Sequence, residues 1–336
     1  MNRREFLTVS TTAVAVGALL NPSALVRAAE NQTGLKNARI SYFAARPGSR
    51  SRDVAFAPDG AVWYCGQRDG TLTRLDPENG SLHAVSLGEG AAPHGVVLGP
   101  DNAFWVTEGG QNAIARLDPA TDNVDLIPLP TEFSRANLNT GTFDLQGIYW
   151  FTGQNGVYGR VDPKTSAIEV WASPGGRGPY GITVTPSGEV WYASLAGSHI
   201  AQIDRVSGSA RMVQPPTPKQ GARRIWADSR SRLWVSEWNS GQVSVFDPET
   251  SDWKTWKLPG DAPRAYSVYV DEHDGIWLTD FGANAIVHFD PDTEIFTSFP
   301  SDMPNANVRQ MAGRPGEAWG GESGTDRLVR IQFDPA

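Results

Sequence analysis

Pro93-His94-Gly95-Val96-Val97-Leu98-Gly99-Pro100-Asp101-Asn102-Ala103-Phe104-Trp105-Val106-Thr107-Glu108 runs on into Gln111-Asn112-Ala113-Ile114-Ala115-Arg116-Leu117-Asp118-Pro119 and Val124-Asp125-Leu126-Ile127-Pro128-Leu129. Short runs rich in β-branched and aromatic residues alternate with Pro-Asp, Gly and Asp-Pro turn chemistry, so the stretch reads as four strands. Its tryptophan recurs as Trp63, Trp105, Trp150, Trp191, Trp234, Trp277 and Trp319, at gaps of 42, 45, 41, 43, 43 and 42 residues. A period in this range marks a repeat whose units bury their apolar faces only against neighbours. Four-stranded units repeated radially make a β-propeller. The expected fold is therefore all-β, a seven-bladed β-propeller of four-stranded antiparallel blades. After Trp319 there is room for one more strand, Arg327 to Phe333. Arg39-Ile40-Ser41-Tyr42-Phe43 has the alternation to fill the gap as an N-terminal strand, closing the ring and removing two sheet edges.

The composition agrees. Of 336 residues 35 are Gly and 24 Pro, with 40% hydrophobic, enough for a large core broken by many turns. Asn2-Arg3-Arg4-Glu5-Phe6-Leu7, a mild apolar run from Val9 to Leu20 and Ala24-Leu25-Val26-Arg27-Ala28 read as a twin-arginine export signal over residues 1–28. The apolar run falls short of the roughly 20 residues a membrane span needs. The expected order is a signal (1–28), a linker (29–37) and the propeller (38–336), in a periplasmic or secreted protein with no membrane attachment after cleavage. Net charge is -8, and -10 without the signal, which offers nothing to nucleic acid. The single cysteine, Cys65, allows no intramolecular disulfide and reads as core.

In a propeller the first strand of each blade lines the channel, and its start shares a face with the turn leaving the second strand. The residues expected around that mouth are Arg52 with Gly66, His94 with Glu108, Asn139 with Gly153 and Tyr180 with Ser194. They continue as Arg223 with Glu237, Tyr266 with Asp280, and about Asn307 with Glu322. Glu237, Asp280 and Glu322 on consecutive blades would offer carboxylates to a hard cation such as Mg²⁺ or Ca²⁺; the alternative is ion pairing with Arg223, Arg224 or Arg309. His94 beside Glu108 suits a general base near neutral pH, or a loop-holding imidazole. Trp238 and Phe281 follow the acids and suit a platform for a ring-bearing ligand, or packing between blades. Tyr180, Arg223, Tyr266, Arg309 and Asn139 complete the expected substrate surface. The opposite face, mostly Pro-Asp and Asp-Pro turns, reads as structural.

Pro93-His94-Gly95-Val96, Pro179-Tyr180-Gly181-Ile182-Thr183, Trp150-Phe151-Thr152-Gly153, Trp234-Val235-Ser236-Glu237-Trp238 and Gly282-Ala283-Asn284-Ala285-Ile286 resemble the blades of the virginiamycin B lyases, or streptogramin B lyases, over Ser51 to Ile331. The resemblance implies a carbon-oxygen lyase of antibiotic resistance that opens a cyclic depsipeptide at its ester by elimination. It implies Mg²⁺ held by two Glu and a His that takes the proton α to the carbonyl. By local phrase, blade 2 supplies His94 and Glu108, with Ala92 for the first Glu and Arg52 for the preceding His. By order along the chain the reactive blade is blade 6, where Arg264, Tyr266 and Asp280 stand for Glu, His and Glu, and Arg223 for the second His. The small-molecule substrate is thus a cyclic depsipeptide or related lactone, and a closed ring is expected to be a monomer. Two further readings stand: a metal-dependent lactonase or esterase resembling the gluconolactonase propellers, and a non-catalytic binding propeller. One architecture hosts all three.

Overall fold

The computed structural model describes residues 25–28 and 35–334. Within them, seven antiparallel sheets follow one another around a channel, and the only helical element is a 3₁₀ turn at Thr131–Phe133. Blade 2 is typical: Pro93–Leu98, Phe104–Glu108, Ala113–Asp118 and Asn123–Pro128 run from the channel outward. Blade 7 combines Val308–Arg314, Glu317–Glu322 and Arg327–Asp334 with the N-terminal strand Lys36–Ala44, which pairs antiparallel to the last strand as Ile40↔Ile331 and Phe43↔Leu328. The ring closes as the sequence predicts. Leu25–Ala28, inside the segment read as the export signal, pairs outside that strand as Arg27↔Ile40; the twin arginines lie outside the described residues.

The seven repeating tryptophans are all buried, at most 2% exposed. A buried indole needs an acceptor for its N–H, and the turn two strands share supplies it. Trp150 donates to Asp144 at 2.9 Å, Trp234 to Asp228 at 3.0 Å and Trp277 to Asp271 at 2.8 Å. Three residues before each tryptophan the chain enters the left-handed region, at Gly60, Asn102, Gly147, Gly188, Ser231, Asp274 and Gly316. Gly, Asn and Asp tolerate that conformation best, which is why the turn chemistry recurs with the same period.

The feature that positions the site is a β-bulge in every inner strand. Pro93 pairs with Glu108 but Val96 with Val106, so His94 and Gly95 together oppose one partner residue. The same shift falls at Arg52, Asn139, Tyr180, Arg223, Tyr266 and Arg309. A bulge bends the strand and re-aims a side chain, and seven at one height turn seven side chains on one mouth of the channel. A hydroxyl two residues after the tryptophan holds several of them. Thr107 Oγ1 accepts from Gly95 N at 2.9 Å and donates to Asn139 O of the next blade at 2.6 Å; Ser236 Oγ accepts from Arg224 N at 3.1 Å and donates to Tyr266 O at 2.8 Å.

Candidate functional site

The bulge residues meet in one buried network. Arg52 reaches across the channel, its Nη2 lying 2.6 Å from His94 Nε2 and donating to Tyr266 OH at 3.0 Å, while its Nη1 donates to Gln67 at 2.7 Å. Asn139 Nδ2 lies 3.2 Å from the same His94 nitrogen. A guanidinium has only donors, so Nε2 accepts and the ring proton sits on Nδ1, which has no protein acceptor. Burial, reinforced by Arg52, Arg224, Arg309 and Arg223, holds the His94 pKa well below its ordinary value. His94 is therefore neutral, and its one lone pair already receives Arg52 and Asn139. In this arrangement it is poorly placed to receive a substrate proton, and the expectation of a His94 base paired with Glu108 is corrected on that ground.

Tyr266 takes the central place. Its hydroxyl lies 3.0 Å from Tyr180 OH, which in turn accepts from Arg223 at 2.9 Å. Arg223 stacks over Tyr266, Trp238 and Tyr180 at 4.0, 4.4 and 4.6 Å, and Arg309 over Tyr266 and Phe281 at 5.2 and 5.3 Å. Burial alone would raise the Tyr266 phenol, but Arg52, Arg223, Arg224 and Arg309 outweigh it and hold it well below its ordinary value. Phe281 stacks on the Tyr266 ring at 4.8 Å and 6° between planes, with Trp238 edge-on to both. Tyr180, Arg223, Trp238, Tyr266, Phe281, Arg309 and Asn139 are thus assembled at one mouth, as the spacing predicts.

The four acids behave otherwise. Glu108 Oε1 accepts from the backbone of Ala92 at 2.6 Å and Gly110 at 2.8 Å, and Asp280 Oδ1 from Arg264 at 2.7 Å and Gly282 at 2.8 Å. Glu237 accepts from Ser240 and Ser244, and Glu322 from Ser301, Thr325 and Arg327. Each is at most 2% exposed and is held by its own turn or its neighbour's loop. Among the described residues no three His, Cys, Asp or Glu side chains come together to hold a metal. Glu237, Asp280 and Glu322 therefore do not converge as expected. They end the second strand, off the bulge that faces the channel, so loop amides and hydroxyls claim them.

Sequence reasoning missed Asp53 and weighed Arg224 only as a partner for Glu237, Asp280 or Glu322; Arg224 and Asp53 lie one residue beyond the bulge position in blades 5 and 1. They form an ion pair at 3.0 Å with side chains 2% and 6% exposed, and Arg224 also donates to Thr140 Oγ1. The available signal was an interruption of strand alternation: Asp53, Thr140, Arg224, Ser267 and Gln310 place polar groups next to the ring residues. Four guanidiniums, Arg52, Arg223, Arg224 and Arg309, thus crowd the mouth, and exposed Arg50 and Arg68 add to it, since burial and then Arg309, Arg52 and Arg68 lower the Arg50 pKa. Among the groups bonded to the four, Asp53 is the carboxylate.

The model of the Virginiamycin B lyase family matches residues 31–262, more than half the chain. The chain belongs to that family. Its fold is similar to virginiamycin B lyase from Staphylococcus aureus, at 18% identity and a TM-score of 0.81 over 89% of this chain and 100% of that one. A streptogramin B lyase structure gives 20% and 0.81 over 90% and 100%. A catalytically inactive virginiamycin B lyase from Staphylococcus aureus with quinupristin gives 19% and 0.82 over 89% and 100%. No curated protein sequence matches the chain. At these identities the likeness establishes the fold. Against the cation that the family resemblance implies, the donors at the corresponding blade 6 positions do not fit: Arg264 is a cation lying over Trp238 at 5.4 Å, and Asp280 is spent on two backbone amides.

Proposed function

We propose that the chain is a lyase-type enzyme acting on an ester or lactone, including cyclic depsipeptides, with the Arg52–Tyr266 pair at its centre. The observation that carries this is the phenol of Tyr266 at the resemblance's base position, bonded to Arg52 and covered by the guanidiniums of Arg223, Arg224 and Arg309. The proton α to the carbonyl passes to a base, the electron pair forms the carbon-carbon double bond, and the β carbon-oxygen bond breaks to release a carboxylate; Tyr266, fully buried and bonded to Arg52 and Tyr180, has to turn out of that network to be the base. Guanidiniums facing the developing enolate supply the electrostatic stabilisation such a step needs. Arg223, Trp238 and Phe281, each half-exposed, form the surface a ring-bearing substrate would meet. Export through the twin-arginine pathway and action as a monomer belong to the same reading.

The test is product chemistry. The purified chain is incubated with a cyclic depsipeptide and with simple lactones; elimination leaves an unsaturated ring-opened isomer of unchanged mass, whereas hydrolysis adds water. Tyr266→Phe should abolish turnover while leaving the urea midpoint close to the parent's. Unchanged turnover in that variant would sink the proposal. A second reading, a ligand-binding propeller, is favoured by the stacking of Phe281 directly on Tyr266. It predicts ligand binding that Arg223→Ala weakens, with no product of either kind.

A further inference from the structure

The opposite mouth of the channel, expected from the sequence to be structural turns, holds a cavity of about 540 Å³. That is within the range of sites that bury a small organic ligand. Val54, Val96, Ile182, Ile225 and Met311 from the inner strands form its walls, with Phe143 and Trp226 toward the rim. Its lining contains five carboxylates, Asp53, Asp228, Asp271, Glu272 and Asp274, and among the described residues no basic side chain. Asp53 and Asp228 are paired with Arg224 and Arg232. Asp271 accepts only neutral donors, the Trp277 indole and backbone amides; Asp274 accepts from Ser229, and Glu272 from Gly316 N with His273 at 3.8 Å. The rim thus gathers carboxyl groups, burial pushing that of Asp271 up from its ordinary value, while the other mouth is crowded with guanidiniums.

Deep in the cavity stands Gln310, 7% exposed. Its Nε2 donates to Val268 O and Met311 O, each at 2.8 Å, which fixes the amide so that Oε1 is left as an acceptor with no protein donor. Leaving a buried acceptor unmatched is costly. That oxygen is itself closed off from the cavity, so the lining describes its occupant by two features: a cationic head at the acidic rim beside the Trp226 ring and an apolar body in the channel. We propose that this cavity is a second ligand site, separate from the Arg52–Tyr266 centre, for a lipophilic organic cation. A cation over an aromatic face gains further electrostatic attraction.

The probe is a trimethylammonium ion carrying a para-hydroxyphenylbutyl chain, titrated calorimetrically into the full chain at low ionic strength. Binding is expected with a dissociation constant below a millimolar, roughly tenfold weaker in Glu272→Gln/Asp274→Asn, since two nearby rim charges at water-like dielectric carry about that factor. The sulfonate counterpart of equal length should not bind here. The proposal is overturned if the sulfonate binds as tightly, if Glu272→Gln/Asp274→Asn changes nothing, or if no heat is seen at millimolar probe. It is also overturned if Arg223→Ala at the opposite mouth, rather than the rim variant, removes the binding.

Discussion

Replacing Asp53 by Asn tests the electrostatics of the channel directly. The exchange keeps shape and an acceptor but removes the carboxylate that Arg224 meets at 3.0 Å, with a second contact at 3.4 Å. The two partners report the contact differently. Burial pushes Asp53 up despite Arg224 and Arg52, whereas at Arg224 burial, which lowers, is outweighed by Asp53, Tyr266 and Tyr180, and the guanidinium is raised. The arginine side decides, because a guanidinium keeps its proton in a protein, so Asp53 faces a permanent cation. At an effective dielectric constant of about 20, unit charges about 3 Å apart interact by roughly 5 kcal/mol, and breaking buried pairs costs about 3–5 kcal/mol. Asp53→Asn should therefore lose about 3–5 kcal/mol in urea unfolding followed by tryptophan fluorescence, and on the order of 10 °C in Tm. Asp53→Leu/Arg224→Met, which removes both charges, should recover most of it. A loss below about 1 kcal/mol in Asp53→Asn, or a double variant no better than the worse single one, would refute the reasoning.

Three further outcomes are expected. Burial holds His288 down at about 4 and, with the four arginines, keeps His94 well below its ordinary value. Both are bases lowered on folding, so their contribution is intact above the unfolded value near 6.5 and is lost as pH falls, by about 1.4 kcal/mol per pH unit per histidine. Urea midpoints should therefore fall less steeply between pH 6.5 and 4 in His288→Gln; parallel slopes would contradict the assignment. A Cβ on Gly181 would lie 2.7 Å from Arg224 Cα and 2.9 Å from Ile225 N, both backbone, so Gly181→Ala should destabilise by about 1–3 kcal/mol, and a Tm equal to the parent's would contradict it. Millimolar Mg²⁺ or Ca²⁺ should leave Tm unchanged; a rise that Glu237→Gln or Asp280→Asn removes would restore the carboxylate metal centre.

The architecture was legible because its determinants are periodic. The indole, the left-handed residue three places before it and the turn acid are set within a single blade, so a linear reading captures them, and the closing strand follows from a missing partner. The ring His94, Asn139, Tyr180, Arg223 and Tyr266 was legible for the same reason, one bulge recurring at one height; in blade 7 the expected ring residue was Asn307, and the bulge falls two residues later at Arg309. The chemistry of Glu108, Glu237, Asp280 and Glu322 was not. Sequence position placed them at the same mouth, but their direction depends on loops from the adjacent blade, such as Ala92 and Ser301, which no local pattern reveals. The pairing of Arg224 with Asp53 escaped because they are 171 positions apart and meet only through the closed ring.

Pairing of the N-terminal strand Lys36–Ala44 with Arg327–Asp334 also has a kinetic side. Asn37 bonds Asp334 across 297 positions, so this last seam forms only after nearly the whole polypeptide has left the ribosome. The entropy of joining such distant segments grows slowly with length, yet contacts this remote slow folding strongly. Until they meet, two bare strand flanks await each other and are open to pairing with other chains. Anything that delays the strand Lys36–Ala44 would prolong that window, so this strand governs how safely the wheel is assembled as well as whether it holds.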